Sequence, residues 1–181
     1  YEKWARLQIE WEQMRDETIR NLKFPFSYRE GQFNLAASVY RTIARKKKLF
    51  IQAPTGTGKT MAVLYPAVRA MGEGLGEKIF YLTARTITRT VAEQAFFILK
   101  EKGLKFRSVT LTAKEKICFC EKAECNPQAC PYAKGHFDRV NDAVYDLLKN
   151  GGGMGRKEIE EQAEKFQVCP FEFALDLSVW A

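Results

Sequence analysis

The segment LFIQAPTGTGKTMAVLYPAVRAM, residues 49–71, is the feature that most limits how this chain can fold. A short apolar run leads into a glycine-rich loop, and a mainly apolar helical segment follows. Residues 53–60 (APTGTGKT) match the phosphate-loop pattern GxxxxGK[ST], except that Ala53 replaces the first glycine. Because such a loop joins a buried strand to a helix, the segment predicts an α/β fold with a parallel sheet.

The residue types of this loop predict phosphate chemistry. Gly56 and Gly58 allow backbone conformations that turn successive N–H groups toward phosphate oxygens. The helix that begins near Lys59 adds its N-terminal dipole, and the Lys59 ammonium supplies a charge for the β- and γ-phosphates. The Thr60 hydroxyl is expected to ligate Mg²⁺. Lys59 and Thr60 are the catalytic candidates, and the expected nucleotide-binding residues of the loop are Thr55, Gly56, Thr57, Gly58, Lys59 and Thr60.

Strands and helices are predicted to alternate through the first part of the chain. Apolar runs predict strands at 49–53, 78–84 and 106–112. The spacing of apolar residues predicts helices at 1–22, 32–48, 59–71 and 85–103. From about Lys114 the strands stop and cysteines appear, with further helices predicted at 135–150 and 156–166. This order predicts a parallel α/β domain that carries a mainly helical inserted subdomain.

Composition and charge narrow the class of protein. The chain has 181 residues and a formal net charge of +7, which fits a polyanionic partner such as nucleic acid. The cationic run Arg45–Lys48 forms the last turn of the helix predicted at 32–48, so we interpret it as a helix end that favours the dipole rather than as a DNA patch. No apolar run is long enough to cross a membrane, and the sequence shows no signal-peptide pattern. We therefore expect a cytoplasmic protein without a membrane partner, in which disulfides do not persist.

The loop just before the second predicted helix, FPFSYREGQF, contains Arg29 and Gln32. A glutamine amide can donate to and accept from an adenine edge at once. By itself an Arg-x-x-Gln loop is a weak signal, because polar surface loops commonly contain such residues. Beside a phosphate loop, the two residues become candidates for reading the nucleotide base.

Four of the five cysteines lie in KEKICFCEKAECNPQACPY, residues 114–132, and the fifth is Cys169. Disulfides need an oxidising compartment. Zinc sites usually contain Cys-x-x-Cys pairs, whereas this segment has one Cys-x-Cys and two Cys-x₄-Cys spacings. An iron–sulfur cluster needs four thiolates and tolerates irregular spacing, and Pro follows both Cys130 and Cys169. The spacing alone leaves all three readings open. His136, the one histidine, is expected to have a packing or surface role.

The phosphate loop with Ala first, the upstream Arg-x-x-Gln loop and the cysteine-rich segment occur together. In this combination the chain resembles the XPD/DinG-type iron–sulfur superfamily 2 DNA helicases, close to bacterial DinG-like members, over residues 24–181. The resemblance implies a linker helix at 1–23 and a partial RecA-like motor domain with a parallel sheet at 24–112. It also implies a C-terminally truncated iron–sulfur subdomain at 113–181.

The resemblance also implies roles for individual residues. Arg29 and Gln32 would read the adenine of ATP. The segment YLTARTITRT, residues 81–90, matches the family's motif Ia, where single-stranded DNA phosphates would contact Thr83, Arg85, Thr86 and Thr88. The expected ligands of a [4Fe–4S] cluster are Cys118, Cys125, Cys130 and Cys169. For the second ligand, Cys125 fits better than the alternative Cys120, because Cys118 and Cys120 are close in sequence for two ligands of one cubane. With Cys125 as the ligand, Cys120 is the spare thiol.

By resemblance, the function is ATP- and Mg²⁺-dependent DNA unwinding by 5′-to-3′ travel along single-stranded DNA, with a role in repair. The implied partner is single-stranded or forked DNA. The sequence departs from the family because it contains no Asp-Glu-Ala-His motif after the cysteines. Its one Asp-Glu pair, Asp16-Glu17, lies upstream of the phosphate loop. We therefore expect a motor fragment that does not hydrolyse ATP by itself. The alternatives are a redox- or metal-sensing nucleotide-binding module without motor activity and a zinc-containing P-loop switch protein.

Overall fold

The computed structural model describes residues 1–54, 56–84, 86–151 and 154–181, with the backbone but not the side chain of Thr86. Within these ranges the regular structure consists of eight α-helices. They are α1 (Glu2–Asn21), α2 (Gln32–Ala44), α3 (Lys59–Gly72), α4 (Thr86–Glu101), α5 (Lys114–Ile117), α6 (His136–Lys149), α7 (Arg156–Phe166) and α8 (Pro170–Val179). Across the same ranges, none of the helices combines the length and apolar character needed to span a bilayer.

The structure confirms the helices that the apolar spacing predicts. Six of the observed helices, α1 to α4, α6 and α7, lie where a periodic apolar stripe occurs. Most boundaries agree within two residues, and the largest difference is at α2, which ends at Ala44 and not at Lys48. The sequence reading did not anticipate α8, which begins with Pro170 in its first turn, a position where proline's fixed φ favours a helix.

The predicted parallel sheet is wrong, because the described part of the chain forms no strand. The segments predicted as strands are irregular in this structure: 49–53, 78–84 and 106–112. The described residues show one isolated parallel bridge, between Val109 and Met154. In it the Thr110 N–H donates to the Met154 carbonyl at 3.1 Å.

The physical reason is that an apolar run becomes a strand only where neighbours satisfy its backbone groups and cover its side chains. In the first two of these segments the covering of the side chains is incomplete. The side chain of Phe50 is 93% exposed, and that of Leu82 is 88% exposed. Hydrophobic content suggested burial, but strand pairing depends on residues distant in sequence, which local pattern does not specify.

The chain divides into two compact units. We call Gln8–Phe106 the phosphate-loop unit, because it contains residues 53–60. We call Tyr1–Leu7 with Arg107–Ala181 the cysteine unit, because it contains all five cysteines. Helix α1 therefore contributes its first turns to one unit and the remainder to the other.

The core of the phosphate-loop unit forms around α3. Leu64 and Val68 of this helix are almost fully buried, together with Ile19 and Leu99 from the helices α1 and α4. Close approach is required where α3 ends, since a Cβ at Gly72 would clash with the Ile19 side chain. Packing along the whole of α3 holds this helix in place. The phosphate loop runs directly into its first turn, so its position is set by the same packing.

The cysteine unit has its own apolar core, formed by α6, α7 and α8. Phe173, Ile159 and Ala143 are fully buried in this core. The ring of Trp4, near the start of α1, lies with its centroid 4.8 Å from that of Trp180. In the predicted apolar stripe of α1, Trp4 therefore packs against an apolar partner, whereas Met14 remains 43% exposed.

A pair of leucine variants tests the burial pattern. Leu64→Ala removes a buried side chain, so it should lower the free energy of unfolding by about 2–5 kcal/mol. Leu82→Ala makes the same chemical change at an exposed site and should alter it by less than about 0.5 kcal/mol. Urea denaturation measures both. An equally large loss for Leu82→Ala would show that residues 78–84 are covered and would contradict the fold described here.

Candidate functional site

The phosphate loop leads directly into α3. Gly56 (φ 80°) and Gly58 (φ 71°) both adopt left-handed backbone conformations, which only glycine adopts without strain. Gly58 is the N-cap of α3, so the helix begins at Lys59 as the sequence predicts. The Thr57 hydroxyl donates to the Pro54 carbonyl at 3.0 Å, which closes the loop on itself. Thr55, another expected nucleotide-binding residue, lies outside the described residues.

The expected catalytic residues lie on the first turn of α3. The Lys59 ammonium donates to the carbonyl oxygen of Ala53 at 2.8 Å and also to that of Pro54. Thr60 is half-buried beside it. The ammonium is therefore held across the loop by neutral oxygens. Anionic phosphate oxygens are stronger partners, so a bound triphosphate can take over these donors.

Arg29 and Gln32 contact the phosphate loop itself. The Arg29 guanidinium donates to the Gly56 carbonyl. Gln32 is buried, and its amide accepts from the Arg29 N–H at 3.1 Å while donating to the Gly58 carbonyl at 3.2 Å. Both polar ends of the Gln32 side chain are thus occupied within the chain. For Gln32 to read an adenine, a nucleotide must replace these two contacts.

Aromatic side chains flank Arg29 and Gln32 in the sequence and contact one another, and the sequence analysis did not single them out. The Tyr28 ring stacks on the Phe24 ring, with 4.1 Å between centroids and 13° between planes. Tyr28 is 41% exposed and Phe33, which contacts it edge-on, is 60% exposed. Burial, with a contribution from Tyr65, raises the pKa of Tyr28, so its hydroxyl stays protonated near neutral pH. The spacing of Phe24, Phe26 and Tyr28 at alternate positions was the available signal. Exposed aromatic faces can stack a nucleobase.

The expected DNA-contacting residues lie around the start of α4. Thr83 and Thr88 are exposed. Thr86 is the first residue of α4, but its side chain lies outside the described residues, as does the whole of Arg85. The structure therefore places two of these four side chains at the surface.

In the cysteine unit, three thiols lie together. The Sγ atoms of Cys120 and Cys130 are 3.8 Å apart. The hydrogen bond with Cys130 is the largest contribution that raises the pKa of Cys120 to about 11, and Cys118 adds to the shift. Cys120 therefore remains a thiol near neutral pH in this arrangement. All five cysteines are free.

The other two thiols lie beside Lys114, a residue to which the sequence analysis gave no role. The Cys125 sulfur makes the largest contribution that raises the Lys114 pKa, and Glu172 and Cys169 act in the same direction. The Lys114 ammonium lies 3.7 Å from a carboxylate oxygen of Glu172. Burial is the main cause of the raised pKa of Cys169. The available signal in the sequence was the pair Lys114 and Lys116 just before Cys118, which places cations near the cysteines.

The four expected cluster ligands do not converge. Cys118 and Cys130 belong to the group with Cys120, whereas Cys125 and Cys169 lie beside Lys114. The part of the chain that the structure describes contains no group of three or more His, Cys, Asp or Glu side chains that could hold a metal ion. As folded here, the residues do not fit a four-thiolate cluster. His136 has the predicted packing role, since it is buried and its Nδ1 accepts from the Cys169 N–H at 3.2 Å.

Comparison with known proteins identifies the family. A family model described as DEAD/DEAH box helicase matches residues 34–126, which is half of the chain. The chain belongs to the DEAD/DEAH box helicase family. Among curated proteins, the Probable ATP-dependent helicase MJ0942 of Methanocaldococcus jannaschii is 43% identical over 195 aligned positions. That alignment covers 87% of this chain but 30% of the relative, so the chain spans less than a third of that helicase. No solved structure matches.

Membership of the DEAD/DEAH box helicase family indicates which ligands the phosphate-loop unit is suited to bind. The family implies use of ATP and Mg²⁺ and binding of nucleic acid. The matched region contains the phosphate loop, Lys59 and Thr60. Arg29 and Gln32 lie just before the matched region, and it is their contacts with Gly56 and Gly58 that connect them to it.

Proposed function

We propose that this chain is the nucleotide-binding part of an ATP-dependent DNA helicase of the XPD/DinG type. The observation that carries the proposal is the contact of Arg29 and Gln32 with a phosphate loop whose Lys59 begins α3. This arrangement brings a base-reading amide, a guanidinium and an ammonium to one loop. The family match supports the helicase class, and the cysteine-rich segment favours the iron–sulfur branch of it.

In the proposed mechanism, a triphosphate displaces the carbonyl oxygens from the Lys59 ammonium. The N–H groups at Gly56 and Gly58 and the N-terminus of α3 then receive the phosphate oxygens. The Thr60 hydroxyl is the side chain that would hold Mg²⁺, which neutralises charge on the phosphates. The adenine would take the Gln32 amide away from Gly58 and could stack on Tyr28.

The finer assignments rest on the resemblance and remain proposals. Single-stranded DNA phosphates would contact Thr83, Arg85, Thr86 and Thr88, as donors suited to phosphate oxygens. Translocation from 5′ to 3′ on single-stranded or forked DNA, in repair, is the proposed activity of the whole helicase. The 181-residue chain by itself is expected to bind nucleotide without hydrolysing it, because it contains no acidic motif of the kind that activates water. The expected cytoplasmic location also stays a prediction.

The iron–sulfur assignment is the least supported part of the proposal. It names Cys118, Cys125, Cys130 and Cys169 as ligands, although this structure divides them between two thiol groups. Four thiolates on one cluster would connect a segment with little core of its own, and metal binding can supply that missing folding energy. No step of the nucleotide chemistry depends on it.

Replacement of the phosphate-loop lysine tests the nucleotide site. Lys59→Ala removes a charged hydrogen-bond donor, so affinity for ATP should fall by roughly ten- to one-hundredfold. Lys102→Ala removes an exposed lysine from the same unit and should leave the affinity unchanged. Titration with a fluorescent ATP analogue in the presence of Mg²⁺ measures both variants. Equal affinities for Lys59→Ala and the unmodified chain would contradict the proposed site, and Lys59-dependent ATP turnover would contradict the proposed lack of hydrolysis.

Metal analysis tests the cluster assignment and separates the two candidate second ligands. Chain purified without oxygen should be brown and hold about four irons. Cys125→Ser should lose most of this iron, whereas Cys120→Ser should retain it. The reverse result would assign Cys120, which lies beside Cys130 in this structure, as the ligand. One zinc per chain and no iron would exclude the cluster.

A further inference from the structure

A run of four consecutive cations follows α2, and we name Arg45, Lys46, Lys47 and Lys48 the post-helix cation cluster. The sequence analysis attributed this run to the end of a helix. The structure ends α2 at Ala44, with Arg45 as the C-cap, so the three lysines lie beyond the helix. Since the helix dipole acts only within the last turn, where Arg41 already lies, it does not account for these charges.

The backbone of the post-helix cation cluster is fixed and strained. The Lys46 N–H donates to the Ile43 carbonyl at 2.9 Å, and the Lys47 N–H donates to the Thr42 carbonyl at 3.0 Å. These two bonds form a Schellman motif, whose left-handed position is usually occupied by glycine. Here Lys46 occupies it, with φ 51°. Glycine would adopt this left-handed conformation without strain. A lysine that is kept there despite the strain indicates that its side chain has a function.

The charges of this cluster are not neutralised within the chain. All four side chains are exposed. Among the described residues, none of them has an ion-pair partner. The phosphate-loop unit as a whole holds 17 of the 29 lysines and arginines but only 9 of the 22 aspartates and glutamates. Four adjacent like charges repel one another, so a polyanion is the ligand that stabilises them.

An exposed aromatic ring follows the cluster. Phe50 lies two residues after Lys48 and is 93% exposed. Cations beside an exposed ring suit single-stranded nucleic acid, because phosphates pair with the charges and an unpaired base stacks on the ring. An anionic membrane surface would also attract the charges. A nucleic acid is favoured because the family match already implies that the protein binds one.

We propose that the post-helix cation cluster and Phe50 form a contact site for single-stranded nucleic acid, with backbone phosphates on the cations and an unpaired base on the Phe50 ring. The inference goes beyond the proposed function, since none of these residues belongs to the nucleotide site or to the 83–88 segment. Residues 49–52 connect Lys48 to Ala53, the first residue of the phosphate loop, so the two are separated by at most about 18 Å of extended chain. Nucleic acid bound here would lie close to the ATP site without occupying it.

A charge-matched pair of variants tests the site with fluorescein-labelled oligo(dT). Replacing Lys46, Lys47 and Lys48 together by Gln should weaken binding about tenfold or more at low salt. It should also reduce the slope of log affinity against log salt by about 2, since each single-strand phosphate contact contributes about 0.7. The control replaces three exposed lysines of the same unit, Lys23, Lys102 and Lys105, by Gln. The control should change affinity less than twofold. Equal losses in both variants, or no binding of oligo(dT) by the unmodified chain, would contradict the site.

A single substitution separates binding from folding. Lys46→Gly removes one charge and relieves the left-handed strain, so it should raise the Tm while weakening oligo(dT) binding two- to fivefold. Gln167→Gly relieves the same kind of strain at φ 54° in the cysteine unit and should leave oligo(dT) binding unchanged. A Lys46→Gly variant that binds oligo(dT) as well as the unmodified chain would contradict the proposal.

Two further readouts assign the ligand. Binding of the fluorescent ATP analogue should be the same in the triple-lysine variant and the unmodified chain. This expectation does not depend on how the Lys59→Ala variant binds ATP. The triple substitution would contradict the nucleic-acid assignment if it abolished binding to phosphatidylserine vesicles and left oligo(dT) binding intact.

Discussion

The buried amide of Gln32 joins the loop before α2 to the phosphate loop before α3. Its oxygen accepts from the Arg29 N–H and its nitrogen donates to the Gly58 carbonyl. A buried amide that loses a hydrogen-bond partner destabilises the folded chain. The Gln32 side chain therefore holds the two loops in a fixed position relative to each other. The packing of Leu64 and Val68 under α3 provides the rigid support. Together with the contact of the Arg29 guanidinium with the Gly56 carbonyl, this connection brings the two loops of the candidate ATP site together before nucleotide binds.

Sequence could predict the helices and the phosphate loop because both are encoded locally. Apolar spacing set α3 and α4, and the pair Gly58–Lys59 fixed where α3 begins. The sheet could not be predicted in this way, because an apolar run such as that around Phe50 does not specify its pairing partner. The resemblance led to the same wrong expectation. The contact of Gln32 with Gly58 also joins residues distant in sequence, so only the coordinates showed it.

The thiols illustrate the same limit at a candidate site. The number and spacing of the cysteines were compatible with disulfides, a zinc site or an iron–sulfur cluster. The resemblance to a helicase family then implied four particular cysteines as cluster ligands. The structure instead groups Cys120 with Cys130 and places Cys125 beside Lys114. Charge is divided as well, since the excess of lysine and arginine lies in the phosphate-loop unit. The candidate sites for nucleotide and for nucleic acid both belong to that unit.

Photo-crosslinking with 8-azido-ATP tests most directly whether the two loops form one nucleotide site. Trypsin cleaves after Lys23, Arg29 and Arg41, so it releases residues 24–29 and 30–41 as separate peptides. We expect the azido group at the base to label one or both of these peptides and excess ATP to prevent the labelling. Label confined to residues 107–181, or labelling that excess ATP does not reduce, would contradict it.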